Sequence, residues 1–216
     1  MIFGTDDTER DKPWEPVLQT ASVEPFAIEQ TEVTNELYRL CVDAGTCDKP
    51  KNTSVYDDAE RAQYPVAYVT ALQAAAYCAW IDRRLPTEFE WERAARGLNG
   101  QLWPWGADPP TPDRAVLSFG DTVLQEAQPI KSREAGKSAD KVYDLIGNVS
   151  EWTGTQLKCD FEKGSCTREP WDGKDAAAFL AIRGGGFNSR DFVRSTQAIG
   201  PTADNYDGSL GFRCAQ

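Results

Sequence analysis

Six cysteines constrain this chain more than any other residue type, because disulfides fix which distant segments lie together. No Cys-x-x-Cys pair is present, which argues against a zinc site. Two pairs would each close a short loop, Cys41 with Cys47 and Cys159 with Cys166. That pairing leaves Cys78 to bond with Cys214. The alternative is six reduced thiols. Disulfides would indicate an extracytoplasmic protein, periplasmic or secreted, and reduced thiols a cytoplasmic one.

Charge and histidine content exclude several classes of function. The 216 residues carry 34 acidic and 23 basic side chains, for a net charge of −11, which disfavours binding to nucleic acid. Histidine is absent, so any metal must be held by oxygen or thiolate ligands. No apolar run is long enough to span a bilayer. Carboxylates are abundant, and we expect most of them on the solvated surface.

The pattern predicts helices in the first half of the chain, and short strands with long loops in the second. Three N-caps mark the helices, and two of them have capping-box spacing: Thr34, Thr70 with Gln73, and Thr87 with Glu90. Residues 98–141 have weak periodicity and are predicted to be mostly loop. This arrangement indicates an α+β fold and a single domain over residues 1–216.

Three consecutive glycines, Gly184 to Gly186, follow an apolar run at 178–182. They bury no side chain and lose much backbone entropy on ordering, so they do not suit a packed strand interior. One interpretation is a β-bulge or turn at a sheet edge. The other is the floor of a binding or catalytic cleft, with its function set by the side chains that follow.

Several motifs stand in an order that is typical of one family. They are EVTN at 32–35, RLPTEFEWE at 84–92, AARG at 94–97, WPWG at 103–106, GNVSEW at 147–152, RGG at 183–185 and GFRC at 211–214. With these motifs the chain resembles the formylglycine-generating enzyme family, whose members carry a sulfatase-modifying factor domain. The resemblance extends over essentially the whole chain. It implies a variant of the C-type lectin fold, loop-rich and low in regular secondary structure, and a disulfide between Cys78 and Cys214.

The resemblance also implies calcium at the GNVSEW motif. Ca²⁺ takes six to eight oxygen ligands, and the family supplies carbonyls and side-chain oxygens there. The expected ligands are Gly147, Asn148, Val149 and Glu151. From spacing alone, the same residues also suit a plain turn with Glu151 in a surface salt bridge. A second calcium site is not expected, because Ala115 stands where the family has asparagine.

The family's oxidase chemistry is not expected here. The active enzymes convert a cysteine of a sulfatase to formylglycine with O₂, using two cysteines that bind copper(I). In this chain the matching positions carry Ser189 and Arg194. A serine cannot replace a thiolate for Cu(I), and an arginine would repel the ion. A related branch uses iron held by three histidines, which this chain lacks. We therefore expect neither copper nor iron.

We interpret the chain as a non-catalytic, calcium-stabilised binding or accessory domain for a protein, peptide or glycan. Such a domain would form part of a larger chain or assembly. The alternative is an oxidoreductase of the formylglycine-generating family, or a divergent peptide-modifying enzyme, that uses the same cleft. The polar and aromatic residues after the glycines would form the ligand surface. Its members are predicted to be Ser189, Arg190, Asp191, Phe192, Arg194, Asn205 and Tyr206.

Overall fold

The computed structural model describes residues 1–4, 18–160, 162–163, 165–190, 193–196 and 198–216. Long loops join few regular elements, which confirms the predicted α+β, loop-rich architecture. In chain order the elements are β1 (Ile2–Phe3), β2 (Gln19–Thr20), α1 (Asn35–Asp43), α2 (Ala71–Trp80), α3 (Glu88–Arg96), β3 (Ser150–Asp160), β4 (Ser165–Pro170), β5 (Leu180–Arg183), β6 (Ala198–Ile199) and β7 (Leu210–Gly211). Single 3-10 turns lie at Ala59–Arg61 and Glu134–Gly136. Within the described residues, no helix has the length and apolar character needed to cross a membrane.

The main sheet is built around β3, its longest strand. The strand order is β4-β3-β5-β6 with antiparallel pairing, and β7 lies parallel to the start of β3. All four residues of β5 are buried, as expected for a central strand packed on both faces. A separate two-stranded ribbon joins β1 to β2.

The three helices begin at the predicted caps. Thr70 and Thr87 each form a complete capping box, with Gln73 and Glu90 respectively. In α1 the Thr34 side chain accepts a hydrogen bond from the N–H of Leu37. These bonds satisfy N–H groups that have no partner inside a helix, which explains why short helices are stable here.

All six cysteines are disulfide-bonded in the predicted pairs, Cys41–Cys47, Cys78–Cys214 and Cys159–Cys166. The second of these ties α2 to the last segment of the chain, and both of its residues are fully buried. Three rings pack beside it, with centroids 5.5 to 6.2 Å apart: Tyr38, Tyr77 and Phe212. The disulfide therefore lies in the main hydrophobic core.

A buried ion network joins α3 to β5. Arg183, at the end of β5, is fully buried and donates to Glu88 at 2.9 Å and to Glu92. The same guanidinium donates to the carbonyls of Ser195 and Thr196 at 2.6 and 3.2 Å. Its charge also lies 5.4 Å from the centre of the Trp91 ring, within cation–π range.

Two more arginines complete this network. Arg96 donates to Glu92 at 2.7 Å, and Arg168 donates to Glu88 at 2.7 Å. Each buried carboxylate thus faces two guanidinium groups. Both Glu88 and Glu92 are fully buried, so they are exceptions to the expectation that most carboxylates lie on the surface. The arginines supply the hydrogen bonds that make their burial tolerable.

Replacing the central arginine tests this network. We expect Arg183→Met to lower the free energy of unfolding by about 3–5 kcal/mol, because two buried carboxylates lose a partner. The matched control is Arg93→Met, since Arg93 lies on the same helix as Glu88 and Glu92 but pairs with the exposed Asp140. A loss of about 1 kcal/mol or less is expected there. Urea unfolding of both variants measures the difference. Equal losses would contradict a special role for Arg183.

Candidate functional site

The glycine triplet and the GNVSEW turn meet at the end of β5. The N–H of Gly147 donates to the carbonyl of Gly184 at 3.0 Å. The N–H of Phe187 donates to the carbonyl of Asn148 at 2.8 Å. Both motifs singled out in the sequence therefore belong to one hydrogen-bonded unit, although 36 residues lie between Gly147 and Gly184 in the chain.

The first and last glycines of the triplet are needed because other chain segments approach closely. Gly184 has φ of 88°, and a Cβ there would lie 3.0 Å from the Leu145 carbonyl oxygen. A Cβ on Gly186 would lie 2.7 Å from the Cβ of Ser209. The N–H of Ser189 donates to the carbonyl of Gly186 at 2.8 Å, so the triplet is a bend, packed against neighbouring backbone, that leads into a turn (the glycine turn).

Ser189 and Arg190 follow this turn and are held against a second loop. The Ser189 hydroxyl accepts a hydrogen bond from the N–H of Gly186 at 3.2 Å. Its carbonyl accepts one from the N–H of Ser118 at 2.9 Å. Arg190 is exposed and donates to the carbonyl of Gly120 at 2.7 Å. Residues 118–120 therefore form one wall beside the predicted ligand surface.

The other predicted surface residues differ in how they are placed. Arg194 is half-buried and has an interaction partner. Asn205 and Tyr206 are exposed, in a loop whose Ser209 packs against Gly186. Asp191 and Phe192, also predicted to belong to this surface, lie outside the residues that the structure describes. The described contacts link the 205–209 loop to the glycine turn and do not join Tyr206 directly to Arg190.

The side-chain oxygens predicted to bind calcium form hydrogen bonds within the protein. Asn148 has φ of 60°, and its side-chain oxygen accepts from the N–H of Gln128 at 2.9 Å. Glu151 accepts from Arg213 at 2.6 and 2.7 Å and from the Trp91 indole at 2.9 Å. Glu151 is fully buried, so it does not form the surface salt bridge considered as an alternative.

Two further carboxylates lie in this cluster, and sequence reasoning gave neither of them a role. Glu32 is almost fully buried and accepts from the Asn148 amide at 3.2 Å. Asp144 is largely buried and accepts from the N–H of Lys131 at 2.8 Å. A signal for each was present: Glu32 opens the EVTN motif, and Asp144 precedes the GNVSEW motif by three residues.

Crowding of these carboxylates perturbs their protonation. Burial, followed by the charges of Asp144 and Glu151, holds the pKa of Glu32 well above its usual range. Burial also raises the pKa of Asp144, although the Lys131 N–H and the Arg213 charge oppose the rise. Three acidic side chains thus lie near Arg213, and burial with their mutual repulsion favours the protonated forms of Glu32 and Asp144.

Whether the cluster fits a metal ion can be tested on its donor set. Its oxygens are hard ligands of the kind that Ca²⁺ prefers. Within the described part of the chain, however, no set of three or more Asp, Glu, Cys or His side chains is arranged to hold a metal. The hydrogen bonds to Asn148 and Glu151 already engage the predicted side-chain ligands, so calcium binding at this turn stays a prediction.

Comparisons with known proteins agree with the motifs. Residues 2–216 match the family model described as the sulfatase-modifying factor enzyme 1-like domain. The chain is 36% identical over 169 residues to inactive C-alpha-formylglycine-generating enzyme 2 of Bos taurus, covering 72% of this chain and 51% of that protein. It is 33% identical over 172 residues to the formylglycine-generating enzyme of Streptomyces coelicolor, covering 72% and 53%. The chain thus spans about half the length of these curated relatives.

Solved structures show the same fold. The structure of PvdO from Pseudomonas aeruginosa aligns with a TM-score of 0.75 at 21% identity, covering 100% of this chain and 90% of that one. At this identity the likeness establishes the fold alone. The C-type lectin part of the fold prediction remains an expectation.

The buried Glu32 carboxyl should make stability depend on pH. Its pKa is raised in the folded state, so its stabilising contribution is complete below the unfolded value near 4.5 and is lost as pH rises. In EDTA we therefore expect Glu32→Gln to gain stability relative to the wild type as pH increases from 4.5 to 7. Thermal unfolding across this range measures the gain.

Glu90→Gln is a control whose stability relative to the wild type should change with pH in the opposite direction. Burial opposes ionisation of Glu90, but hydrogen bonds from Arg84 and Thr87 outweigh it and lower the pKa. Its contribution is present above the unfolded pKa and is lost in acid, so this variant should be less stable than the wild type at pH 7. A Glu32→Gln variant whose relative stability stays constant with pH would contradict the argument.

Proposed function

Because the chain belongs to the sulfatase-modifying factor enzyme 1-like domain family, as its motifs predicted, we propose that it is a non-catalytic binding or accessory domain. Its ligand would be a protein, peptide or glycan. The loops after the glycine turn would contact that ligand, and the buried ion networks would keep the supporting scaffold rigid.

The cysteine positions carry this proposal. Ser189 and Arg194 occupy the two positions at which the resemblance places the copper-binding cysteines. All six cysteines of the chain are in disulfides, so none offers a free thiolate for Cu(I). The similarity to a bovine protein named as an inactive formylglycine-generating enzyme supports the same conclusion.

The proposed ligand surface joins Ser189, Arg190 and Arg194 to the exposed loop with Asn205 and Tyr206. An arginine and a tyrosine at an exposed site suit recognition of polar ligands, because each combines a flat apolar face with hydrogen-bonding groups. The hydrogen bonds of the glycine turn support this surface from below. Because these loops are already held in place, binding would order them little further. Less affinity would then be lost to the entropy cost of ordering them.

Calcium and an oxidising compartment complete the proposal. The carbonyls of Gly147 and Val149, with the side-chain oxygens of Asn148 and Glu151, would hold the ion, and the neighbouring carboxylates of Glu32 and Asp144 would add negative charge around it. Addition of calcium should then raise the unfolding temperature of the wild type, and raise it less in Glu32→Gln. The three disulfides and the family relationship support an extracytoplasmic location.

Oxidase activity is the direct test of a non-catalytic role. The chain, supplied with copper and O₂, is incubated with a peptide containing Cys-x-Pro-x-Arg, and the peptide mass is measured. We expect no conversion of cysteine to formylglycine, because the thiolates are missing. Conversion by the wild-type chain would support the alternative of an active oxidoreductase and overturn the proposal.

Restoring the sulfurs tests the assigned positions. The double variant Ser189→Cys, Arg194→Cys should gain stoichiometric Cu(I) binding, and the single variant Ser189→Cys should bind the ion more weakly. A competition assay with a Cu(I) chelator measures both. If the double variant bound no more copper than the wild type, the assignment of these two positions would be wrong.

Arrays of glycans and peptides test the ligand surface. A ligand captured by the wild type should lose affinity for Arg190→Ala and for Tyr206→Ala, by about tenfold or more if these residues are central to binding. Arg93→Ala, on α3, is the control for loss of an arginine. Unchanged binding in both surface variants would exclude this surface as the binding site.

A further inference from the structure

A small apolar pocket lies in the loop region between α3 and β3. Its volume is about 170 Å³. Ala115, Val116 and Leu117 are buried and form its floor, whereas Pro112 and Thr122 are exposed at its rim. The half-buried side chains of Phe119 and Leu124 also line it. Such a lining suits an apolar group of modest size.

One charged side chain, Arg133, also lines this pocket. It is half-buried, its Nη1 donates to the carbonyl of Ser132 at 3.1 Å, and its Nε is buried without a hydrogen-bond partner. Among the described residues, no carboxylate forms a salt bridge with it. Arg114 differs in this respect, since it pairs with Asp108 at 3.0 Å.

The Arg133 guanidinium lies beside apolar side chains and forms no salt bridge with a described residue, so part of its hydrogen-bonding capacity is unused. A buried N–H without an acceptor costs roughly 1–3 kcal/mol, more where the group is charged. Asp144 acts on Arg133 only through its longer-range charge. The Nη2 group of Arg133 is not shielded in this way, so an acceptor bound in the pocket could pair with the Nη end of the guanidinium.

We propose that this pocket binds a small carboxylate with an apolar body. The carboxylate would pair with the planar guanidinium of Arg133, which presents two parallel donors. Its aliphatic part would lie on the floor formed by Ala115 and Leu117. A singly charged group suits the site better than a phosphate dianion, because Arg133 is the single cationic residue among those that line it.

The pocket is separate from the proposed ligand surface but shares a loop with it. Ser118 follows the pocket floor; its hydroxyl donates to the Phe187 carbonyl at 2.9 Å and accepts from the N–H of Leu124 at 3.0 Å. Occupation of the pocket would therefore order the same loop that supports Ser189. The carboxylate site does not depend on the function proposed above.

Calorimetric titration with 4-methylpentanoate tests the proposal. Saturable binding is expected, and 4-methylpentanamide, which has the same shape without the charge, should bind about tenfold more weakly or worse. N-acetyl-leucine is titrated in parallel. Tighter binding of N-acetyl-leucine would identify the carboxyl end of a peptide as the source of the carboxylate, and tighter binding of the free acid would identify a short fatty acid.

Variants distinguish the contribution of the Arg133 charge to binding from that of the apolar pocket. Arg133→Gln should weaken binding of the acid about tenfold or more, whereas Arg114→Gln, with the same change of charge outside the pocket, should bind as the wild type does. Thr122→Phe, placed at the exposed rim, should block both the acid and the amide. Thermal unfolding confirms that each variant is folded. Absence of saturable binding to the wild type, equal affinity for acid and amide, or unchanged binding by Arg133→Gln would each overturn the proposal.

Discussion

Two buried arginines, both linked to Trp91, join helix α3 to strand β5 and to the last segment of the chain. The Trp91 ring lies beside the charge of Arg183, and its indole N–H donates to Glu151, which pairs with Arg213. Ionised groups removed from water are unfavourable unless each finds partners, so each network is stable only when complete. Helix α3, strand β5 and the last segment of the chain are consequently held in one relative position.

This arrangement suits a fold with little regular secondary structure. Long loops have few repeated backbone hydrogen bonds, so side chains and disulfides must hold them. Arg213 donates to the carbonyls of Glu29 and Tyr143, and thereby joins two loops that are far apart in sequence. The adjacent Cys214 adds a covalent bond to α2. Polar and covalent links thus act at neighbouring positions near the end of the chain.

Local rules and motif order predicted much of this structure. Thr70 with Gln73 and Thr87 with Glu90 mark helix starts because a capping box requires residues only three apart. Two short cysteine loops left one possible partner for Cys78. The family could also be predicted, because its motifs occur in order along one chain. The helix starts and the cysteine pairing depend on sequence spacing, whereas the family depends on the resemblance of the motifs.

The buried acidic cluster could not be predicted in the same way. Glu32 lies more than a hundred residues from Asn148, so their contact depends on tertiary structure. Composition also misled, because carboxylates are usually solvated and Glu32, Glu88, Glu92 and Glu151 are not. Whether a carboxylate is buried depends on where arginines from distant segments are placed, and a single sequence does not contain that information.

The hydrogen bonds of Arg183 to Ser195 and Thr196 have an evolutionary consequence. On one side of the predicted ligand surface the backbone is fixed by the glycine turn, and on the other by these two carbonyls. Exposed positions between the two anchors, such as Arg190, would alter the proposed recognition surface, whereas Phe187 and Val193 between them are buried in the core. On the proposed function, point mutation at such exposed positions would change specificity while the two buried anchors stay in place.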